Sequence, residues 1–149
     1  MIEQYPGTEE VECTEVVYRA LKRAWVKPNG VAPEAFIRRK TEPEPEQQIS
    51  LSRQKYTTAR ECRSKLQKMP GVASLHVGRV RDLEYSLDVQ PDPEPADRGH
   101  CLLTNLPHPV DDAENAEFVA SQLSRIARLV SLEQEEREHQ DRNPITNRD

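Results

Sequence analysis

The histidines are the first side chains that could do chemistry in this chain. His76, His100 and His108 lie within one section that is rich in β-strand signals. Because histidine titrates near neutral pH, a general acid or base role is chemically open for His76 or His100. His100 and Cys101 are adjacent, so on a strand they point to opposite faces and cannot share a metal ion. With no Cys-x-x-Cys or His-Glu-x-x-His pattern present, the sequence predicts no metal and no cofactor.

A second set of candidates combines arginine with serine. ADP-ribosyl transferases pair an arginine on an early strand with a serine on a later strand and a catalytic glutamate. Arg19, Ser52 and Glu84 follow that order in this chain. Arg19 would bind a pyrophosphate through two parallel hydrogen bonds, and Ser50 or Ser52 would orient a ribose. These residues, together with His76 or His100, support an alternative hypothesis of an enzyme acting on a nucleotide or phosphoester.

The strongest pattern in the sequence is the distribution of charge. Residues 18–68 hold 13 Lys/Arg and 5 acidic residues, whereas residues 1–17 hold 5 Glu and no cation. Residues 69–149 hold 8 cations and 16 acids, so the net charge of −5 hides a basic middle between acidic ends. Such a segment indicates an anionic partner, or one half of the protein neutralising the other. Four aromatic residues lie in it, Tyr18, Trp25, Phe36 and Tyr56, and exposed rings among them would stack on unpaired bases. A structural role is favoured for Trp25, because it is a single large ring in a modest core.

The favoured hypothesis is a protein that binds another macromolecule and is not an enzyme. Its contacts would be the outward-facing basic residues Arg23, Lys27, Arg38, Arg39 and Lys40. A protein partner is favoured over nucleic acid, because the net charge of −5 opposes general attraction to a polyanion. A homo-oligomer, in which the acidic C-terminal helix of one copy meets the basic segment of another, is a further hypothesis.

The length and composition fit one domain with a modest core, since only 35% of the 149 residues are hydrophobic. We expect a disordered or extended N-terminus at residues 1–10, a single domain at 11–132 and a charged tail at 133–149. No apolar run approaches the roughly 20 residues that a membrane span needs, so no membrane contact is expected. Three widely separated cysteines and no signal peptide favour a reducing, cytoplasmic setting.

The strand signals are short and are separated by turns. Residues 13–26 fit either a helix or a strand. The turn Lys27-Pro28-Asn29-Gly30 is well defined, because proline presets φ and Asn-Gly accepts positive φ. Residues Glu42–Glu46 and Pro91–Pro95 alternate proline with acidic residues, which predicts extended loops. Strands are expected at residues 35–39, 49–52, 72–80, 84–89 and 101–106.

Two helices are predicted from capping pairs and periodicity. One is capped by Ser52 or by Thr58, the latter with Glu61 three residues later, and runs to about Lys68. The other follows the pair Asp111 and Glu114. Its apolar stripe consists of Ala116, Val119, Ala120, Leu123, Ile126, Ala127 and Val130. We therefore predict an α+β fold: a small, mostly antiparallel sheet covered on one face by about two helices, with a charged C-terminal helical extension.

The order of several short motifs resembles a pattern found in a family of small bacterial proteins of unknown function. The motifs are Ala35-Phe36, Ile49-Ser50-Leu51-Ser52, Val77-Gly78 and the run from His100 to Pro107. The resemblance covers residues 18–130. It implies a bacterial, cytoplasmic protein that acts beside products of neighbouring genes, and it transfers no catalytic residue.

Overall fold

An antiparallel sheet of six strands organises residues 6–38, 48–65 and 71–131, which are the residues that this computed structural model describes. The strands in chain order are β1 (Val16–Leu21), β2 (Val26–Lys27), β3 (Gly30–Val31), β4 (Ile49–Arg53), β5 (Gly71–His76), β6 (Asp88–Pro91), β7 (His100–Thr104) and β8 (Arg128–Leu129). The helices are α1 (Ala59–Lys65), α2 (Val77–Asp82) and α3 (Ala113–Ile126). The sheet order is β6-β7-β4-β1-β5-β8, and β2 and β3 form a separate hairpin. The predicted α+β class is confirmed.

One face of the sheet carries the main hydrophobic core. Leu21, Leu51 and Leu103 from three different strands are almost completely buried there. Phe36 and Leu123, from a 3₁₀ turn and from α3, pack into the same core. Each such side chain contributes roughly 1.5–3 kcal/mol when it is fully removed from water. This core fixes the sheet against α2 and α3.

The opposite face is only partly covered. Ala59 and Cys62 of α1 pack there against Tyr18, Ala20 and Val72, so α1 lies over β1 and β5. The part of this face that β4, β7 and β6 form carries polar side chains. This half-open face positions the candidate sites described below.

The first predicted helix begins at its predicted cap, whereas α3 begins one residue later than predicted, with Asp112 and not Asp111 at its N-cap and no side-chain hydrogen bond from that residue to the helix backbone. The Thr58 side-chain oxygen accepts a hydrogen bond of 3.1 Å from the backbone N–H of Glu61 at the start of α1. The predicted stripe of α3 is confirmed through Leu123, which is fully buried. The helix ends at Ile126, because the chain then turns to pair with β5 and Val130 donates a backbone hydrogen bond to Val72.

Two predicted strands are wrong in part. The strand expected at residues 72–80 ends at His76, and Val77–Asp82 forms α2 instead. Val77 and Gly78 donate their backbone N–H groups to the carbonyl oxygens of Glu15 and Cys13, at 3.0 and 2.9 Å. The segment is therefore helical because of tertiary partners and buried valines, not because of its own propensity. The strand expected at 84–89 begins only at Asp88.

The strand expected at residues 35–39 is also wrong. Residues Pro33–Phe36 form a 3₁₀ turn that begins with the proline, a position at which its missing N–H costs no hydrogen bond. Ala35 and Phe36 of this turn are buried. The ambiguous segment 13–26 contains β1 followed by a 3₁₀ turn at Arg23–Trp25. The predicted turn at Lys27–Gly30 and the strands at 49–52 and 101–106 are confirmed within a residue or two. The predicted loop at 42–46, the end of the first helix and the tail lie outside the described residues.

The segment before residue 11 contributes more to the fold than its composition indicated. The guanidinium of Arg53 is fully buried and donates two hydrogen bonds of 2.8 Å to the carboxylate of Glu15. It also donates to the backbone carbonyls of Gly7, Glu9 and Glu10 at 3.0–3.3 Å. One basic side chain of β4 thus fastens the N-terminal segment to the sheet.

Candidate functional site

The register of the sheet places a row of side chains across the half-open face. Arg128 of β8 pairs with Ser74 of β5, and Ser74 pairs with Tyr18 of β1. Tyr18 pairs with Ser52 of β4, which in turn pairs with His100 of β7. Directly paired residues of antiparallel strands have their side chains on the same face of the sheet. The row therefore links two clefts, one at the β8 end and one at the β7 end.

The cleft at the β8 end is lined by basic side chains. It has a volume of about 250 Å³, and its lining includes His76 from the end of β5, Arg79 from α2 and Arg128 from β8. All three side chains are exposed. Neutral side chains complete the lining. The cleft therefore combines basic groups from three elements that are distant in the sequence.

A second basic cleft shares the segment 125–128 with the first. Its volume is about 430 Å³, and its lining includes Lys27 from the β2–β3 hairpin and Arg125 from the end of α3. Arg125 and Ala127 line this cleft, whereas Ile126 and Arg128 line the first. Because these four residues alternate between the two clefts, the clefts lie on opposite sides of the segment 125–128.

We call Lys27, His76, Arg79, Arg125 and Arg128 the cationic edge. Within residues 6–38, 48–65 and 71–131, none of these side chains forms an ion pair, and no acidic side chain lines either cleft. The basic side chains of β4 and the turn after it differ, because they are paired with Glu9 and Glu15. The cationic edge thus holds positive charge that the described carboxylates do not neutralise.

The binding residues predicted from the sequence are only partly at this surface. Lys27 belongs to the cationic edge, and Arg23 is exposed but lines neither cleft. The expectation that Arg38 faces outward is wrong: it is 8% exposed and donates a hydrogen bond of 3.1 Å to the carbonyl of Leu106. The chain around Arg38 is not the expected strand, so its side chain turns inward. Arg39 and Lys40 lie outside the described residues.

Three of the four aromatic rings of the basic segment are engaged within the protein, whereas that of Tyr56 is 36% exposed and its hydroxyl group donates to the carboxylate of Glu9. Tyr18 and Phe36 are buried, at 4% and 1% exposure. Trp25 is half-buried, and its ring lies against Arg19 and Lys22, whose charged groups are 5.3 and 5.0 Å from the ring centroid. Cations of the same chain therefore cover part of the Trp25 ring.

The enzyme hypothesis receives partial geometric support at the other end of the row. Arg19, Ser52 and His100 line one cleft, with a volume of about 160 Å³. His76 lies at the β8 end instead, so the four predicted residues do not converge. Glu84 is exposed in the loop before β6 and does not line this cleft.

Arg19 serves the fold in a way that the sequence did not show. Its Nε donates to the carbonyl of Ala35 at 3.1 Å, and its Nη1 donates to the carbonyl of Ser50 at 3.3 Å. Its guanidinium also lies over the ring of Trp25. The two-hydrogen-bond geometry that would bind a pyrophosphate is therefore directed at backbone oxygens.

His100 connects a hydroxyl group to two carboxylates. Its Nε2 is 3.2 Å from the side-chain oxygen of Ser50, and its Nδ1 is 3.0 Å from Oδ2 of Asp92 and 3.8 Å from Oε1 of Glu94. A hydroxyl, an imidazole and a carboxylate in series resemble a nucleophile with its base. Apart from Arg19, the described lining of this cleft contains no Lys or Arg, and it includes Asp97. The acidic surroundings would repel an anionic substrate.

Several of these residues could not be selected from the sequence. Arg79, Arg125 and Arg128 fall outside the basic segment, and only the packing of three elements brings them together. Asp92 and Glu94 did carry a signal, because they alternate with prolines. Their approach to His100 depends on the pairing of β6 with β7.

Comparisons of the chain with protein-family models, curated proteins and solved structures gave no match. In the part of the chain that the structure describes, no helix combines the length and the hydrophobicity needed to cross a membrane. The three cysteines are free thiols, of which Cys13 is exposed and Cys62 and Cys101 are buried. The geometry of the two ends of the sheet is therefore the basis for assigning a function.

Proposed function

We propose that this protein binds an acidic partner protein through the cationic edge and that binding, not catalysis, is its function. The observation that carries the proposal is the set of exposed basic side chains without carboxylate partners among the described residues. Surface cations that are not already paired attract complementary charge and accelerate association with it. Two clefts, one on each side of the segment 125–128, give that charge a shaped surface.

A protein partner is better supported than a nucleic acid. The net charge of −5 opposes long-range attraction to a polyanion, whereas a short acidic segment meets only the local positive field. Binding of unpaired bases also needs open aromatic rings, and Tyr18, Phe36 and Trp25 are engaged within the protein. The exposed ring of Tyr56 is 5.5 Å from the charged groups of both Arg53 and Lys55, and its hydroxyl group donates to Glu9. An acidic segment of a second copy of this chain is included in the proposed class of partner.

The proposal changes the residues that the sequence favoured but keeps the class of function. Lys27 remains a proposed contact. Arg38 is buried and donates a hydrogen bond to the carbonyl of Leu106, and Arg23 lines neither cleft. A bacterial and cytoplasmic setting, as the resemblance implies, is part of the proposal. The free thiols are compatible with a reducing compartment.

The alternative enzyme acting on a nucleotide or phosphoester has weaker support. Ser52 and His100 share a cleft with Arg19, but the guanidinium of Arg19 donates to two backbone carbonyls. A phosphoester would therefore enter a cleft in which Asp97 and the neighbouring Asp92 provide negative charge.

Charge reversal at the cationic edge tests the proposal. The variant Arg79→Glu/Arg128→Glu is compared with wild type for binding of a fluorescent oligoglutamate peptide, measured by anisotropy at low and high salt. We expect a loss of affinity of about tenfold or more, which corresponds to about 1.4 kcal/mol. Because both side chains are exposed, the melting temperature should change little. Salt should weaken wild-type binding, since exposed charges are screened beyond about 10 Å at 0.1 M.

The matched control is Arg23→Glu/Arg63→Glu, which changes the net charge equally but alters neither cleft. It should retain most of the wild-type affinity. Equal binding by both double variants would show that only net charge matters and would remove the cationic edge from the proposal. Tighter binding of a single-stranded oligonucleotide than of the peptide would replace the protein partner by nucleic acid. Light scattering at low and high salt tests whether a second copy is the partner.

A further inference from the structure

We infer that Asp92, Glu94 and His100 form a binding site for a divalent transition-metal ion, with Zn²⁺ as the preferred ion. The site lies at the β7 end of the half-open face, away from the cationic edge. The inference is independent of the proposed function, because it uses different residues and a ligand of opposite charge.

The donor atoms are already close enough to share one ion. Nδ1 of His100 is 3.0 Å from both Oδ2 and the backbone carbonyl oxygen of Asp92 and 3.8 Å from Oε1 of Glu94. The three side-chain donor atoms lie within 4.8 Å of one another. Zinc bonds to nitrogen and oxygen are about 2.0–2.2 Å long, which places neighbouring ligands roughly 3.0–3.6 Å apart. Side-chain adjustments of less than about 1 Å would therefore complete the coordination.

The backbone holds the two carboxylates on one side before any ion arrives. Asp92 and Glu94 each precede a proline, and a residue before proline is restricted to extended conformations. The carboxylate oxygens of Asp92 and Glu94 lie within 4.8 Å of each other. The segment is closed by mutual backbone hydrogen bonds of 2.9–3.0 Å between Glu94 and Asp97, and Asp92 donates to the carbonyl of His100 at 2.9 Å.

The electrostatics favour a cation at this position. Neither Asp92 nor Glu94 has an ion pair with a lysine or arginine among the described residues, although their carboxylates are close together. Their side chains are 50% and 58% exposed, so water can reach the remaining coordination positions. A divalent cation would relieve the repulsion between the two carboxylates.

The hydrogen bond to Ser50 fixes the histidine in a suitable orientation. When Nδ1 binds the ion, Nε2 carries the proton and donates it to the side-chain oxygen of Ser50, at 3.2 Å. Such a partner on the second ring nitrogen orients metal-bound histidines in general. An imidazole with two carboxylates suits Zn²⁺ better than Ca²⁺ or Mg²⁺, which prefer a larger set of oxygen ligands. The sequence prediction of no metal considered Cys101, which is buried on the opposite face.

Calorimetric titration with ZnCl₂ tests the inference, using the full chain in a Cys13→Ser background because that exposed thiol is itself a zinc ligand. We expect one zinc ion bound per chain, with CaCl₂ and MgCl₂ bound at least tenfold more weakly. Each of Asp92→Asn, Glu94→Gln and His100→Gln should lower the zinc affinity by at least about tenfold, because loss of a residue that only orients a ligand already costs about 10–100-fold.

The matched control is His76→Gln, which removes an exposed histidine on the same face of the sheet. It should leave zinc binding unchanged. In ¹⁵N NMR spectra, zinc should shift the Nδ1 resonance of His100 but not the imidazole resonances of His76. Unchanged affinity in the three site variants, or an unmoved His100 resonance at saturating zinc, would overturn the assignment. Circular dichroism of each variant distinguishes loss of the site from loss of the fold.

Discussion

Removal of the Arg53 side chain would test how the N-terminal segment is held to the sheet. The guanidinium has five N–H donors, and these meet two carboxylate oxygens of Glu15 and the carbonyls of Gly7, Glu9 and Glu10. The side chain is completely buried, whereas that of Glu15 is 11% exposed. All the hydrogen-bonding capacity of the buried charge is therefore used.

The variant Arg53→Ala should lower the free energy of unfolding by about 3–5 kcal/mol, because breaking a buried pair leaves the partner charge uncompensated. Three backbone carbonyls would lose the guanidinium as donor, and among the described residues the Glu15 carboxylate would keep only the backbone N–H of Glu12 as a hydrogen-bond donor. Domains of this size have a total stability of about 5–15 kcal/mol, so the loss would be a large fraction of it. Arg53→Lys should lie between wild type and Arg53→Ala, since an ammonium keeps the charge but lacks the planar arrangement of donors.

Urea unfolding followed by the fluorescence of Trp25, the single tryptophan, measures this change. The matched control is Lys55→Ala, because Lys55 contacts the same Glu9 carboxylate at 2.8 Å but is 43% exposed. An exposed pair is worth about 0.2–1 kcal/mol, so the control should change stability little. A loss in Arg53→Ala no larger than that in Lys55→Ala would refute the reasoning.

Three further predictions concern the same region and the thiols. Burial opposes ionisation of Glu9, but hydrogen bonds, led by that from Lys55, outweigh it and lower the pKa of Glu9 from 4.5 to about 2. A pKa lowered by folding stabilises the folded state above the unfolded pKa, so urea midpoints should fall from about pH 4.5 towards pH 2, and less so in Glu9→Gln. In the native protein a thiol reagent should modify Cys13 and not Cys101, because burial raises the pKa of Cys101 to about 12. Mass spectrometry identifies the modified cysteine, and modification of Cys101 before Cys13 would contradict this prediction. Gly7→Ala should unfold at lower urea than wild type, since Gly7 has φ of 93° and an added Cβ would overlap a backbone carbonyl; an unchanged midpoint would contradict this contact.

The sequence predicted those elements whose signals are local. The stripe of α3 follows the 3.6-residue period, and its buried members through Leu123 are the predicted ones. The turn at Lys27–Gly30 and the N-cap at Thr58 are both confirmed. Each depends only on residues within four positions of one another, so a short window of sequence was enough to predict it. The charge distribution is also local information, and it correctly drew attention to Lys27 as an exposed basic residue.

Where a partner distant in the chain decides the conformation, the sequence prediction failed. Val77–Asp82 has the composition of a strand, yet backbone carbonyls of Glu15 and Cys13 receive its first N–H groups and α2 forms. Arg38 was expected at the surface because it is charged, but the carbonyl of Leu106 accepts its hydrogen bond in the interior. Neither partner is visible within a short window of sequence.

The candidate sites show the same division most clearly. The residue types were in the sequence: basic side chains, histidines and acids alternating with prolines. Which of them meet was decided by the strand order β6-β7-β4-β1-β5-β8, which brings Arg128 beside β5 and Asp92 beside His100. A side chain reaches only a few ångströms, whereas residues such as Lys27 and Arg125 are far apart along the chain. Only the pairing of the strands and the packing of α2 and α3 against the sheet bring such groups within interaction distance.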